Sequence, residues 1–301
     1  MRRQLNEFLD SEQAGGVILL ACTVLSLVLT NLPFGRSYAA IWQAVLAGQP
    51  IVHWINDGLM AVFFLLIGLE LKRELSTGEL ASGRRALLPV VAALGGMIAP
   101  ALVYALFNFG TPLHVGAGIP VATDIAFSLA VLSLLGRRVP ASLKVFLTAF
   151  AVMDDLGAVL VIALFYRGAI SWPFIGLTAA TVLALLAMNR LRVRTLVPYL
   201  AAGVLLWYCT LHSGVHAALA GVLLAYTIPD GRENAPASRL ERFLNRPVAF
   251  VILPLFALAN TCLALSGTWY LALASASSIG IILGLLVGKP LVIVLSSYAV
   301  V

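Results

Sequence analysis

The chain has 301 residues, 61% of them hydrophobic and only 11% charged, with a net charge of +6, whereas a soluble domain carries roughly 25% charged residues. That excludes an ordinary soluble protein. Apolar runs near the 20 or so residues that cross a bilayer as a helix recur from end to end, so the class is an all-α polytopic membrane protein. The runs do not alternate, which excludes a transmembrane β-barrel, and the basic residues punctuate them without aromatic interleaving, which excludes a nucleic-acid surface.

Ten segments are expected, at residues 14–32, 51–71, 86–107, 115–135, 143–166, 174–188, 196–211, 215–228, 248–265 and within 271–301. The first follows the acidic Glu7, Asp10 and Glu12 and lacks an A-x-A site, so it is read as a retained span and not a signal peptide. The sixth to eighth are short for a full crossing and need shielding by neighbours. With the N-terminus cytoplasmic, sixteen of the 19 basic residues fall on the inner side; only Arg36 and Arg167 fall outside, and Lys289 lies within a segment. Dropping or adding one segment would destroy this asymmetry. Two linkers are long: residues 33–50 face outward as a hairpin or loop, and the polar stretch 229–246 faces inward, carrying Arg239, Glu241 and Arg242. Cys22, Cys209 and Cys262 sit within apolar runs, with no metal-ligand spacing and no need for a disulfide.

Charges inside the apolar runs are the informative residues: Asp124, the pair Asp154-Asp155 and Lys289, with Asp57 and Glu70 nearer the ends. A central Asp or Lys costs about 2.5–3.5 kcal/mol on insertion scales, so the four together oppose insertion by roughly 10 kcal/mol before any pairing. A buried pair that only fixes helix packing would account for one Asp and Lys289, leaving two carboxylates over. Adjacent helical residues project about 100° apart, so Asp154 and Asp155 cannot point the same way. One can face a wet cavity while the other turns to a neighbouring helix, where Lys289 is the intramembrane cation on offer. Buried carboxylates neutralised either by protons or by a hard cation form a coupling device. Asp124 follows Gly116, Gly118 and Pro120, the signature of a broken transmembrane helix, and Thr123 could cap the second half or lend an oxygen to a cation. Pro290 suggests a kink beside Lys289. Glu70, Arg73 and Glu74, at i, i+3 and i+4, read as a solvated salt-bridge cluster, and His216, after Ser213-Gly214, as a cap or packing residue. His53, Asn56 and Asp57 lie near the outer start of the second segment.

Together these residues resemble the NhaA family of bacterial sodium/proton antiporters. The resemblance rests on Ala122-Thr123-Asp124-Ile125-Ala126-Phe127, the double Asp within residues 151–158, Leu211-His212-Ser213-Gly214-Val215-His216-Ala217 and Gly288-Lys289-Pro290. It continues in one register through Phe63-Phe64-Leu65-Leu66-Ile67-Gly68-Leu69-Glu70 and Leu253-Pro254-Leu255-Phe256-Ala257.

The resemblance implies an inverted-repeat transporter fold, with residues 86–166 as one repeat unit and 271–301 as the start of the second; family members continue for two further segments beyond the tenth. It implies electrogenic exchange of Na+ or Li+ for protons in the inner membrane, serving cytoplasmic pH and sodium control without a cofactor. Asp155 would be the principal site of competition between cation and proton, with Asp154 beside it and paired to Lys289 in one state. Asp124 and Thr123 would lie where broken helices cross. Glu70, Arg73, Glu74, His216, Arg239 and Glu241 match positions tied to pH activation or its transmission, although the basic residue that precedes the Arg239 position in the family is Ser238 here. A homodimer through residues 33–50 is a further implication. Two other readings are an intramembrane protease, disfavoured because neither G-x-G-D nor G-x-S-x-G occurs, and a non-transporting homologue.

Overall fold

A computed structural model describes residues 12–76, 78, 81–121, 139–140, 142–143, 146–147, 149–151, 153–154, 157–158, 161, 170–231, 235–265 and 267–300. Thr123, Asp124 and Asp155 lie outside the described residues, as do all of 122–138 and 162–169. Six helices among the described residues are long and apolar enough to cross a membrane, which makes this a multi-pass membrane protein. The chain divides into two compact units: Met1–Arg73 with Ala163–Ala264, and Glu74–Ile162 with Leu265–Val301.

The first unit starts with α1 (Glu12–Asn31) and the short α2 (Gly35–Gln43). Strands β1 (Val45–Leu46) and β2 (Gln49–Pro50) then pair antiparallel. Ala47 and Gly48 between them take φ of 51° and 86°, the two left-handed residues of a type I′ hairpin turn, so the stretch 33–50 contains a hairpin preceded by a helix. α3 (Ile51–Ser76) follows, then α5 (Trp172–Arg190), α6 (Leu196–His212), α7 (Leu219–Thr227) and α8 (Pro236–Asn260). α4 (Gly83–Phe107) belongs to the second unit.

Two boundaries differ from expectation. The eighth segment is helical only over α7, because Ser213 and Gly214, the latter at φ 85°, turn the chain before it. α8 begins at Pro236, twelve residues before the apolar run at 248. Pro236 opens the helix at its first position, and Ala237, Leu240, Leu244 and Val248 recur at helical spacing on a buried stripe. The polar stretch 229–246 is therefore largely an amphipathic helix. α8 also ends at Asn260, short of residue 265.

Between helices in a bilayer, apolar burial gives little net drive, so close packing and hydrogen bonds hold them together. The first unit has both. Its core gathers Leu65 and Leu69 of α3, Leu185 of α5, Leu206 of α6 and Leu224 of α7. Gly221 of α7 lies so close to the α3 backbone at Ala61 and Leu65 that a Cβ has no room there. On α1, the buried Ser26 donates to the Leu258 carbonyl of α8 at 2.8 Å and accepts from the Tyr38 hydroxyl at 3.0 Å.

In the second unit, α4 lies along α10 (Ala276–Val300), which follows the short α9 (Trp269–Leu273). Gly280 and Gly284 of α10 meet Tyr104 and Pro100 of α4, while Gly95 and Gly96 of α4 meet Val292 and Ile293 of α10. Asn108, fully buried just after α4, accepts from Ser277 Oγ at 2.8 Å and donates to the Tyr104 carbonyl at 2.9 Å. After α4 the chain forms a 3-10 helix over Pro112–Gly118, started by Thr111, whose hydroxyl accepts from the Leu113 amide at 3.3 Å. The expected span 115–135 therefore does not open as an α-helix, in keeping with Gly116, Gly118 and Pro120.

Three of the long helices contain a π-helical stretch: Trp54–Leu59 in α3, Val248–Ile252 in α8 and Gly284–Gly288 in α10. The last two each precede a proline by two residues, Pro254 and Pro290. A proline has no amide to give the carbonyl four residues back and its ring crowds that carbonyl, so the preceding turn widens.

Candidate functional site

Lys289 emerges from the π turn of α10 directly before Pro290. Its ammonium donates to Asp154 Oδ2 at 2.7 Å and to the Val121 carbonyl at 2.7 Å, and stands 5.8 Å from the centre of the Phe150 ring. Both charged side chains are enclosed, Asp154 at 0% and Lys289 at 5% exposure. Isolated buried charges are expensive, and a close charge-assisted hydrogen bond with extra partners is what compensates them. The structure thus brings together two of the expensive charges, beside the stretches that carry the others in sequence: Asp155 directly follows Asp154, while Asp124 lies three residues after Val121. Chemically, an ammonium and a carboxylate in this setting can separate only if something else neutralises each: a proton leaving Lys289 together with a proton or cation arriving at Asp154.

The end of α3 and the first turns of α8 carry a second set of charges. Arg73, in the last turn of α3, is ion-paired with Glu241 of α8. The carboxylate is buried and the guanidinium half exposed. Of the group expected on sequence, Arg73 and Glu241 meet, Arg239 lies on the exposed face of α8, and Glu70 and Glu74 are partly buried on α3. The i, i+3, i+4 spacing read as a local cluster misses this pairing, because its partner is 168 residues away.

Lys72, one of the basic residues that punctuate the apolar runs, holds the end of a neighbouring helix. Its ammonium donates to the carbonyls of Ala225 at 3.4 Å and Tyr226 at 3.0 Å, and to that of Ile228. Asn189 Nδ2 of α5 donates to the Thr227 carbonyl at 2.7 Å. Side chains from two other helices therefore satisfy the carbonyls that end α7, where a cation is also favoured by the helix dipole. At the other end of α7, the amide of Ala218 donates to His216 Nδ1 at 3.3 Å, and that of Leu219 donates to the His216 carbonyl. An accepting Nδ1 requires the tautomer with its proton on Nε2. His216 is thus a cap, as its position suggested.

At the start of α3, His53 and Asp57 approach to 3.9 Å, Trp207 Nε1 donates to the Asp57 carbonyl at 2.7 Å, and Asn56 and Asn260 exchange amide hydrogen bonds of 3.1 and 2.8 Å. These contacts tie the start of α3 to α6 and to the end of α8 within the first unit.

A family model described as Na+/H+ antiporter 1 matches residues 6–301. The Na(+)/H(+) antiporter NhaA 1 of Flavobacterium johnsoniae is 51% identical, covering 99% of this chain and 78% of its own length. Antiporters named NhaA from Cytophaga hutchinsonii and Dechloromonas aromatica are 52% and 53% identical, over 96% and 100% of this chain and 75% and 79% of theirs.

Proposed function

This chain belongs to the Na+/H+ antiporter 1 family, and from that premise we propose how it performs sodium/proton antiport. Na+ leaves the cell and protons enter through one site by alternating access. Asp155 is the principal acid, Asp154 its neighbour, and Thr123 and Asp124 lie at the crossing of broken helices. In the cation-free state Lys289 neutralises Asp154. Cation entry and proton release uncouple the pair, and proton return restores it. Competition supplies the coupling: the site holds either protons or a cation, and reorientation with bare charges is disfavoured. The observation that carries this reading is the enclosed 2.7 Å pair of Lys289 and Asp154.

The exchange is electrogenic in this proposal, importing more proton charge than it exports as Na+ or Li+. An inside-negative potential then helps by about 2.3 kcal/mol per net charge per 100 mV. The protein sits in the bacterial inner membrane with its N-terminus cytoplasmic, crosses it in ten segments within this chain, and uses residues 86–166 and 271–301 as parts of an inverted repeat. Glu70, Arg73, Glu74, His216, Arg239 and Glu241 set its pH response, and the 33–50 hairpin forms a homodimer contact. The bilayer itself is the other partner.

The test is sodium-driven dequenching of a pH-sensitive dye in proteoliposomes. Asp155→Ala and Asp154→Ala should each abolish the sodium-dependent signal while the protein still purifies as a folded species. Undiminished antiport in either variant would overturn the site.

A further inference from the structure

The inner part of α8 has two faces of opposite character. Ala237, Leu240, Glu241 and Leu244 are buried, and on that side Glu241 meets Arg73. On the other side Arg239, Arg242, Phe243 and Arg246 are all exposed, Phe243 at 72%. These four stand at i, i+3, i+4 and i+7, which is one stripe of a helix. Between Arg239 and Arg246 the sole acid is Glu241, on the buried face, so the exposed stripe is uniformly positive around one large apolar ring.

We propose that this stripe of α8 docks the headgroups of anionic phospholipids at the inner surface of the membrane. The placement follows from continuity: α8 runs from Pro236 to Asn260 without a break, and its apolar part begins at Val248. At 1.5 Å per residue, Phe243 stands roughly 7 Å and Arg239 roughly 13 Å along the helix from Val248. A headgroup layer is about 5–8 Å deep on each side of a 30 Å hydrocarbon core. Arg246, roughly 3 Å from Val248, and Phe243 therefore lie within the headgroup layer, and Arg242 and Arg239 lie at and beyond its outer edge. Guanidinium binds phosphate through paired N–H donors, and a basic amphipathic helix with an aromatic on its lipid side is the pattern that selects anionic surfaces. A second copy of the chain is the poorer occupant, because a two-fold contact would set the same three arginines against themselves.

The experiment uses the full chain in vesicles, with a fluorophore on Phe243→Cys in a background lacking the three native cysteines. Nitroxide-labelled phosphatidylglycerol and nitroxide-labelled phosphatidylcholine are compared at equal mole fraction. Phosphatidylglycerol should quench roughly twofold more or better, and high ionic strength should remove the difference. Arg239→Gln/Arg242→Gln/Arg246→Gln should remove it as well; the salt comparison decides the matter should that variant not fold. Equal quenching by the two lipids, a preference that survives both salt and the triple substitution, or lipid-independent self-quenching from a second copy would each overturn the proposal. The readout does not depend on transport, so it stands or falls apart from the antiport site.

Discussion

Lys289 Nζ lies 2.7 Å from Asp154 Oδ2 and equally 2.7 Å from the Val121 carbonyl, so one ammonium ties α10 to two other stretches of its unit. Removing one partner of a buried pair leaves a charge with no counterpart and costs about 3–5 kcal/mol, whereas removing both is far less harmful. Lys289→Met should therefore lower the unfolding temperature in detergent sharply, and Asp154→Asn/Lys289→Met should recover most of the loss. A double variant as unstable as the single one would mean that the lysine acts through packing and not through its charge.

Where the end of α3 meets α8, the two partners of an ion pair are unequally exposed, which sets the direction of the next effect. Glu241 is buried, but Arg73 is half exposed. Arg73→Ala takes an ion-pair partner from a carboxylate that water reaches poorly. Glu241→Ala frees a guanidinium that water can solvate. The first should cost about 1–3 kcal/mol and the second clearly less, measured by thermal unfolding of each variant. In transport assays both should shift the pH dependence of antiport if the pair serves regulation.

Lys72 is the test of a contact that sequence could not announce. Lys72→Met removes an ammonium from the carbonyls ending α7 and should cost about 1.5–3 kcal/mol, the range for hydrogen bonds to charged groups. Lys72→Arg should restore part of it, because guanidinium also donates to carbonyls. Hydrogen exchange would show the change as faster exchange of amides in the last turn of α7, with α5 and α6 little affected.

The spans α1, α3, α4, α5 and α6 were legible because each is a long apolar run, and Asp154 and Lys289 stood out because a charge in such a run must have a reason. Their mutual contact was not derivable from the residues alone, since either Asp of the pair could have turned towards the lysine. Hydropathy hid the first turns of α8, whose arginines mask a helical stripe of Ala237, Leu240, Leu244 and Val248. Lys72 was hidden for the opposite reason. A lysine at the end of a span is expected for orientation alone, and only the fold shows the end of α7 within its reach.

Two glycines in neighbouring helices should respond in opposite ways to the same substitution. A Cβ on Gly221 would fall against the carbonyl of Ala61 and lie 2.7 Å from the Leu65 amide nitrogen. Both are backbone atoms of α3, which cannot turn aside as a side chain can, so α7 must move away and loosen the packing around it. Gly221→Ala should cost about 1–3 kcal/mol, the usual penalty of overpacking. A Cβ on Gly176 in α5 meets nothing within 4 Å, and there the gain in helix propensity is unopposed: Gly176→Ala should stabilise by about 0.5–1 kcal/mol. Unfolding temperatures measured side by side in one detergent decide it. If Gly221→Ala is neutral, the close approach of α7 to α3 does not hold in the folded protein, and with it goes the placement of Lys72 against the end of α7.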